Sequence, residues 1–165
     1  ASDIRRYAYW NLLAGGAGFT YGENSVMQFK TTWSKDISFG PVNPWTTEME
    51  ASGANQMRYV KRLVSGMTFI GRKPAQELIQ NQGVRYQYLP ALLDNHSLYV
   101  YTYTGRNIEL GLGRYEGKKV KCSWYNPRNG GYIAIGNMTA TAHHLFDPPG
   151  VEKDGNDWVL VLTGL

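Results

Sequence analysis

Apolar and polar positions follow two different rhythms along this chain. Over the first dozen residues Ile4, Ala8 and Leu12 recur at i, i+4 and i+8, with Tyr7, Trp10 and Leu13 widening the stripe. That spacing predicts an amphipathic helix, capped by the side-chain oxygen of Ser2 or Asp3. Gly15, Gly16 and Gly18 predict its end, because glycine takes φ > 0 without steric cost. Phe19-Thr20-Tyr21 then reads as a short buried strand. A loop follows from Gly22 to Pro44, holding Trp33, Phe39 and Pro41. Loops of that length in a compact domain are functional or hide short elements. Thr47 and Glu50 have capping-box spacing, and Met57, Val60 and Val64 mark the apolar face of a second helix that stops near Gly66.

From about Pro74 the helical period gives way to alternation, which places a domain boundary between residues 72 and 73. Leu98, Val100 and Thr102 alternate with Tyr99, Tyr101 and Tyr103, and Ile108/Leu110 follow a turn at residues 104–107. Val120, Cys122 and Trp124 point to one side and Lys119, Lys121 and Ser123 to the other, the pattern of a strand with one wet face. Further strands are expected around residues 132–135, 144–146 and 158–162, separated by the turns at 126–130, 148–150 and 154–156. Short strands at this spacing predict an antiparallel β-sandwich. Trp124 and Trp158 are expected in its core, and Asp147, Asp154 and Asp157 as turn formers. A helix–strand–helix unit cannot cover both faces of its strand in a parallel sheet. Residues 1–72 are therefore expected to be the last portion of a larger α/β domain whose remainder precedes Ala1.

Composition narrows the chemistry. Nineteen glycines and twelve tyrosines among 165 residues, with 18% charged residues, suit a β-rich chain with many turns. The net charge of +4 is spread over pairs such as Arg5-Arg6 and Lys118-Lys119, too diffuse for a nucleic-acid footprint. No apolar run approaches the roughly 18 residues needed to span a bilayer, so no membrane partner is expected. Cys122 is the single cysteine, which excludes an internal disulfide, and its place in an alternating strand makes it a buried small hydrophobe. His143 and His144 face opposite ways and His96 stands alone, so neither a metal nor a cofactor is expected. The glycines of residues 15–22 follow a helix and precede a strand, the reverse of the dinucleotide fingerprint.

The segment Ile4-Arg5-Arg6, Tyr9-Trp10, Leu12 to Gly15, Gly18, Thr20-Tyr21-Gly22, Asn24-Ser25-Val26 and Gln28 resembles the last barrel unit of the apiosidase-like glycoside hydrolases. Trp124 to Gly130, Phe146 to Gly150 and Asn156 to Leu162 are similar to the small sandwich that follows such barrels. That sandwich carries the label "putative collagen-binding domain of a collagenase". The resemblance implies an α/β plus all-β chain: the last βα unit of a (β/α)8 TIM barrel, with Phe19–Tyr21 as its final strand, then a small antiparallel β-sandwich. It implies part of a secreted or periplasmic glycoside hydrolase acting on plant or microbial polysaccharide or oligosaccharide. Its partner is the upstream barrel portion of the same protein, with collagen as an alternative ligand. Such enzymes use two carboxylates. In the resemblance both precede Ala1, so this chain alone is not expected to hydrolyse anything. Phe19 stands where a histidine is common and Met27 where a tryptophan is common, which removes a polar group and a stacking surface.

Within that frame Tyr21, Glu23, Asn24 and Gln28 lie at or just after the C-terminal end of the last strand, the face where barrel enzymes assemble their sites. Sugar hydroxyls want such phenol, carboxylate and amide partners, and Trp33 and Trp45 offer stacking surfaces. These residues are candidates for substrate binding, and none is assigned a catalytic role. The alternative is that Tyr21 and Asn24 hold the loop in shape and that the tryptophans anchor it. Tyr99, Tyr101 and Tyr103 share one strand face, which fits a ligand strip or a face packed against a neighbouring domain. Asn126-Pro127-Arg128 is explained by a turn that an arginine hydrogen bond fixes. Two further readings stay open: a binding module whose sandwich engages collagen or glycan, and an inactive barrel kept as a scaffold.

Overall fold

The computed structural model describes residues 1–35 and 37–165. Four helices come first: α1 (Ser2–Leu13), α2 (Asn24–Met27), α3 (Trp45–Glu48) and α4 (Ser52–Ser65). Eight strands follow: β1 (Lys73–Pro74), β2 (Ala91–Leu93), β3 (Ser97–Thr102), β4 (Ile108–Gly111), β5 (Lys119–Tyr125), β6 (Tyr132–Thr139), β7 (His143–Phe146) and β8 (Trp158–Thr163). Six of them form an antiparallel sheet in the order β1-β2-β3-β8-β5-β6, and β4 pairs with β7 beside it.

Alternation decides which side chain meets which layer. Leu98, Val100, Val120, Cys122, Trp124, Trp158, Leu160 and Leu162 point inward, against Ile108, Leu110 and Phe146 of the β4–β7 pair. Trp124 and Trp158 meet edge-on at 6.5 Å within this core. Tyr99, Tyr101, Tyr103, Tyr125, Val159 and Val161 occupy the opposite face, where Ala8, Tyr9, Leu13, Val60 and Leu63 of α1 and α4 cover them. The tyrosine face is therefore a packed face, and Tyr9 stacks on Tyr101 at 5.1 Å. Each large apolar side chain buried this way contributes about 1.5–3 kcal/mol.

Several expectations are corrected. Neither Ser2 nor Asp3 caps α1, whose N-cap is Ala1; Asp3 lies in the first turn, where the helix dipole favours a carboxylate, 3.0 Å from Arg6 Nη1. Ile4 and Leu12 are half-buried, and the fully buried stripe is Arg5, Ala8, Tyr9 and Leu13, rotated toward the sheet. Phe19–Tyr21 forms no strand, because among the described residues none of its backbone groups pairs with another and a strand exists only through its ladder. The long loop contains α2. Thr47 lies inside α3, so no capping box forms, and α4 starts about four residues later than that signal suggested, at Ala51-Ser52.

Asp157 is not a turn former on the surface but the centre of a buried polar cluster. Arg5 donates from Nε to its Oδ2 at 2.7 Å and from Nη2 to its Oδ1 at 2.8 Å, a fork-to-fork pair. The Tyr101 hydroxyl donates to Oδ2 at 3.2 Å, and Arg128 Nη1 stands 3.7 Å from Oδ1. Burial by itself would lower the Arg5 guanidinium, but the Asp157 hydrogen bond and charge outweigh it and the net direction is up. This cluster ties α1 to the start of β8 across 152 residues of sequence.

Two outcomes follow from this packing. Arg5→Met or Asp157→Asn is expected to lower urea stability by about 3–5 kcal/mol, since either leaves a buried group without its partner. The double variant Arg5→Met/Asp157→Leu is expected to cost less than the two single changes together, and full additivity would contradict the pairing. Burial and neighbouring charge push the Tyr99 and Tyr125 hydroxyls up to about 12, with burial the larger cause for both. Both stay protonated in the folded chain after they would ionise unfolded, so their contribution is complete below the ordinary tyrosine value and declines as pH rises toward 12. Absorbance titration should show these phenols ionising together with unfolding, and early reversible ionisation would contradict it.

Candidate functional site

The residues singled out after Tyr21 do not form one open cleft. Glu23 is the N-cap of α2, and its Oε2 accepts from the Val26 N–H at 3.0 Å. Asn24 Nδ2 donates to the carbonyls of Ser38 and Phe39 at 3.2 and 3.3 Å. Gln28 donates to Asn24 Oδ1 at 2.6 Å and to the Ser38 carbonyl at 2.8 Å, and accepts from the Ser38 N–H at 2.9 Å. Asn24 and Gln28 thus fasten Ser38 and Phe39 onto α2. Glycine-free φ > 0 at Phe29 and Phe39 (47° and 59°) marks the two sharp bends that this fastening imposes.

Tyr21 and Glu23 meet in a depression of 290 Å³ that Val26, Met27, Glu48 and Ala54 also line. Burial, then the Glu23 and Glu48 carboxylates, raise the Tyr21 hydroxyl, so it stays a neutral donor at physiological pH. The carboxylates here are already engaged: Glu23 with its cap and Glu48 with Asn43 Nδ2. Trp33 lies apart from this depression and is 86% exposed. Trp45 packs edge-on against Phe29 at 5.8 Å and so anchors the loop.

The Asn126-Pro127-Arg128 turn carries the arginine hydrogen bond expected of it. Asn126 Oδ1 accepts from both the backbone N–H and the Nε of Arg128, at 3.0 and 2.9 Å. The Arg128 guanidinium lies 4.7 Å above the Trp158 ring and donates to Asn156 Oδ1 at 3.1 Å. Gly130 follows at φ 71°, and a β-carbon there would lie 2.6 Å from the Tyr59 ring of α4, so the turn presses directly on the helix layer. Arg6, on α1, is enclosed by the rings of Tyr7, Trp10, Tyr86 and Tyr103, all within 5.2 Å of its guanidinium carbon. Both arginines hold layers together rather than opening toward a ligand. Sequence reading did not find their partners, because Tyr86 and Asp157 are remote in the chain and neither belongs to a local motif.

Cys122 is buried, and burial pushes its thiol up to about 11, which makes it unreactive at neutral pH. No group of three or more His, Cys, Asp or Glu side chains could hold a metal among the described residues. No helix is long and apolar enough to cross a membrane among them either.

Comparison with curated proteins finds no match. A solved structure named as a glycoside hydrolase superposes with a TM-score of 0.92 at 36% identity, covering 99% of this chain and 36% of its own. A glycoside hydrolase family 5 protein from Bacteroides vulgatus does so with a TM-score of 0.90 at 34% identity, with the same coverage of 99% and 36%. The chain therefore spans about a third of the length of these relatives. Residues 1–71 match the family model described as "Apiosidase-like, catalytic domain". Residues 73–163, more than half of the chain, match the one described as "Putative collagen-binding domain of a collagenase", and to that family the chain belongs, with the apiosidase-like segment in front.

Proposed function

We propose that this chain is the C-terminal part of a glycoside hydrolase that cleaves glycosidic bonds in plant or microbial polysaccharide outside the cytoplasm. In this reading Phe19–Tyr21 is the last strand of a (β/α)8 barrel, and the β-sandwich caps that barrel. The observation that carries it is the segment from Phe19 to Gly22. It follows α1 in the chain and lies beside α4, and among the described residues none of its backbone N–H or C=O groups pairs with another backbone group. Beside it lies an apolar groove of 400 Å³, lined by Leu12, Phe19, Met57, Val60 and Val64. Thr20 and Gly22 are exposed and Phe19 and Tyr21 half-buried, so in this chain water serves these backbone groups, and extended backbone left open in this way is a template for a neighbouring strand. A strand on each edge, as in a closed parallel barrel, would pair them.

The surface of the loop after the segment supports the same reading. Met27, Phe29, Trp33, Phe39 and Val42 are all exposed, Phe39 at 94%. Large apolar side chains gathered on one loop mark a surface that another structure or a ligand covers. The chemistry would come from a carboxylate pair on earlier strands, one protonating the leaving oxygen and the other attacking the sugar or activating water. Tyr21 and Glu23 would stand at the rim of that site, Asn24 and Gln28 would keep its loop in shape, and Trp33 would offer a sugar-stacking face. The carbohydrate character of the substrate is supported by the glycoside hydrolase names of the solved relatives. A second reading, binding without catalysis, is carried by the collagen-binding description of the matched sandwich family, and retention on immobilised collagen would support it.

Turnover of aryl glycosides by the full-length parent tests the first reading. The parent is expected to hydrolyse them and to lose that activity when either barrel carboxylate is replaced by its amide, while residues 1–165 alone show none. Turnover by this chain alone, or a folded parent without any glycosidase activity, would contradict the reading.

A further inference from the structure

The outer face of the six-stranded sheet is longer than the helices that cover it. Its side chains fall into cross-strand rows set by the register. Tyr101, Val159, Tyr125 and Tyr132 are opposite one another across β3, β8, β5 and β6, and the next row is Tyr99, Val161, Ser123 and Ala134. The last row is Ser97, Thr163, Lys121 and Asn137. Going along these rows the residues change from tyrosine and valine to serine, threonine and lysine, and the change falls where α4 ends at Arg62 to Gly66. What remains is a groove of 530 Å³ between the end of α4 and the sheet. That volume lies in the range, about 300–1,000 Å³, of sites that hold small ligands.

The wall of this groove has a consistent chemistry. Ser97, Ser123 and Thr163 line it with hydroxyls, Tyr99 and Tyr132 with phenols, and Arg62 and Lys121 with cations. No acidic side chain is among its lining residues. Neither Arg62 nor Lys121 makes an ion pair among the described residues. Asp94, which lies close enough to Tyr99 to act on its hydroxyl, is taken up by the backbone N–H groups of Thr68, His96 and Ser97 at 2.7–3.0 Å. Tyr132 is 55% exposed at the far edge and offers a ring face. Two free cations flanking a line of hydroxyls and an open aromatic ring match a chain that is itself hydroxyl-rich and carries negative groups.

The geometry points to an anionic-glycan groove on the sandwich, formed by Arg62 and Lys121 over the Ser97, Thr163 and Ser123 hydroxyls with Tyr132 as its stacking edge. The anionic group is a carboxylate or a sulfate on the sugar, which the two cations receive in the same way. This groove is separate from the Tyr21 depression, and its occupancy does not depend on which bond the parent cleaves.

Affinity electrophoresis of the complete protein in native gels tests it, with polygalacturonate as the carboxylated probe, carrageenan as the sulfated one and xyloglucan as the neutral one. Retardation by at least one anionic glycan and none by xyloglucan is expected, and which anion retards the protein identifies the group. Arg62→Gln and Lys121→Gln should each weaken binding roughly tenfold, as loss of a charge-assisted hydrogen bond does. Lys153→Gln, a change of equal charge on an exposed loop outside the groove, should leave it unchanged. All three side chains are exposed, so equal melting temperatures will show that the fold is intact. Retardation by neither anion, equal retardation by xyloglucan, equal loss in all three variants, or retention on collagen alone would overturn the proposal.

Discussion

Taking a guanidinium and a carboxylate out of water costs several kcal/mol per ion, and the cost is recovered only where geometry and additional hydrogen bonds are good. Arg5 and Asp157 meet that requirement with two hydrogen bonds of 2.7 and 2.8 Å, a Tyr101 hydroxyl and a second arginine nearby. The pair constrains the rest because it leaves α1 one position and one rotation on the sheet. Once Arg5 is fixed, Tyr9 falls over Tyr101, Leu13 continues the stripe, and α4 closes beside them over Tyr125. The layer that the first part of the chain supplies is therefore integral to the sandwich, whose tyrosine face would otherwise stand in water.

The same arrangement leaves one stretch of backbone without a protein partner among the described residues. Leu12 of α1 and Met57, Val60 and Val64 of α4 line a groove beside Phe19–Gly22, and among the described residues no backbone group of that segment pairs with another. The similarity of residues 1–71 to apiosidase-like catalytic domains, and solved relatives nearly three times as long, supply a context in which that backbone would be paired.

Much of the sandwich was legible because alternation is a local signal. The strands at Leu98, Ile108, Val120, Tyr132, His144 and Trp158 all form, and the inward set of Trp124, Cys122 and Trp158 is as the pattern indicates. Strands β1 and β2 were not legible, since two or three residues such as Lys73-Pro74 carry no period. The buried stripe of α1 lies one position from the one that periodicity predicts, because Arg5 counts as polar in any periodicity yet is buried by a partner 152 residues away. Glu23 as a cap and Asn24 and Gln28 as loop fasteners are local hydrogen bonds that short motifs allow without specifying. The groove beside Arg62 needs three distant strands and a helix end, although the wet face of Lys119, Lys121 and Ser123 already hinted at an uncovered surface.

Amide hydrogen exchange at Phe19 to Gly22, compared between this chain and the full-length parent, bears most directly on the barrel assignment. If the segment is the closing strand of a parallel barrel, its amides exchange rapidly in residues 1–165 alone and are protected by several orders of magnitude in the parent, as core strands are. Rapid exchange in both would show that nothing pairs with this segment, and the barrel assignment would be wrong.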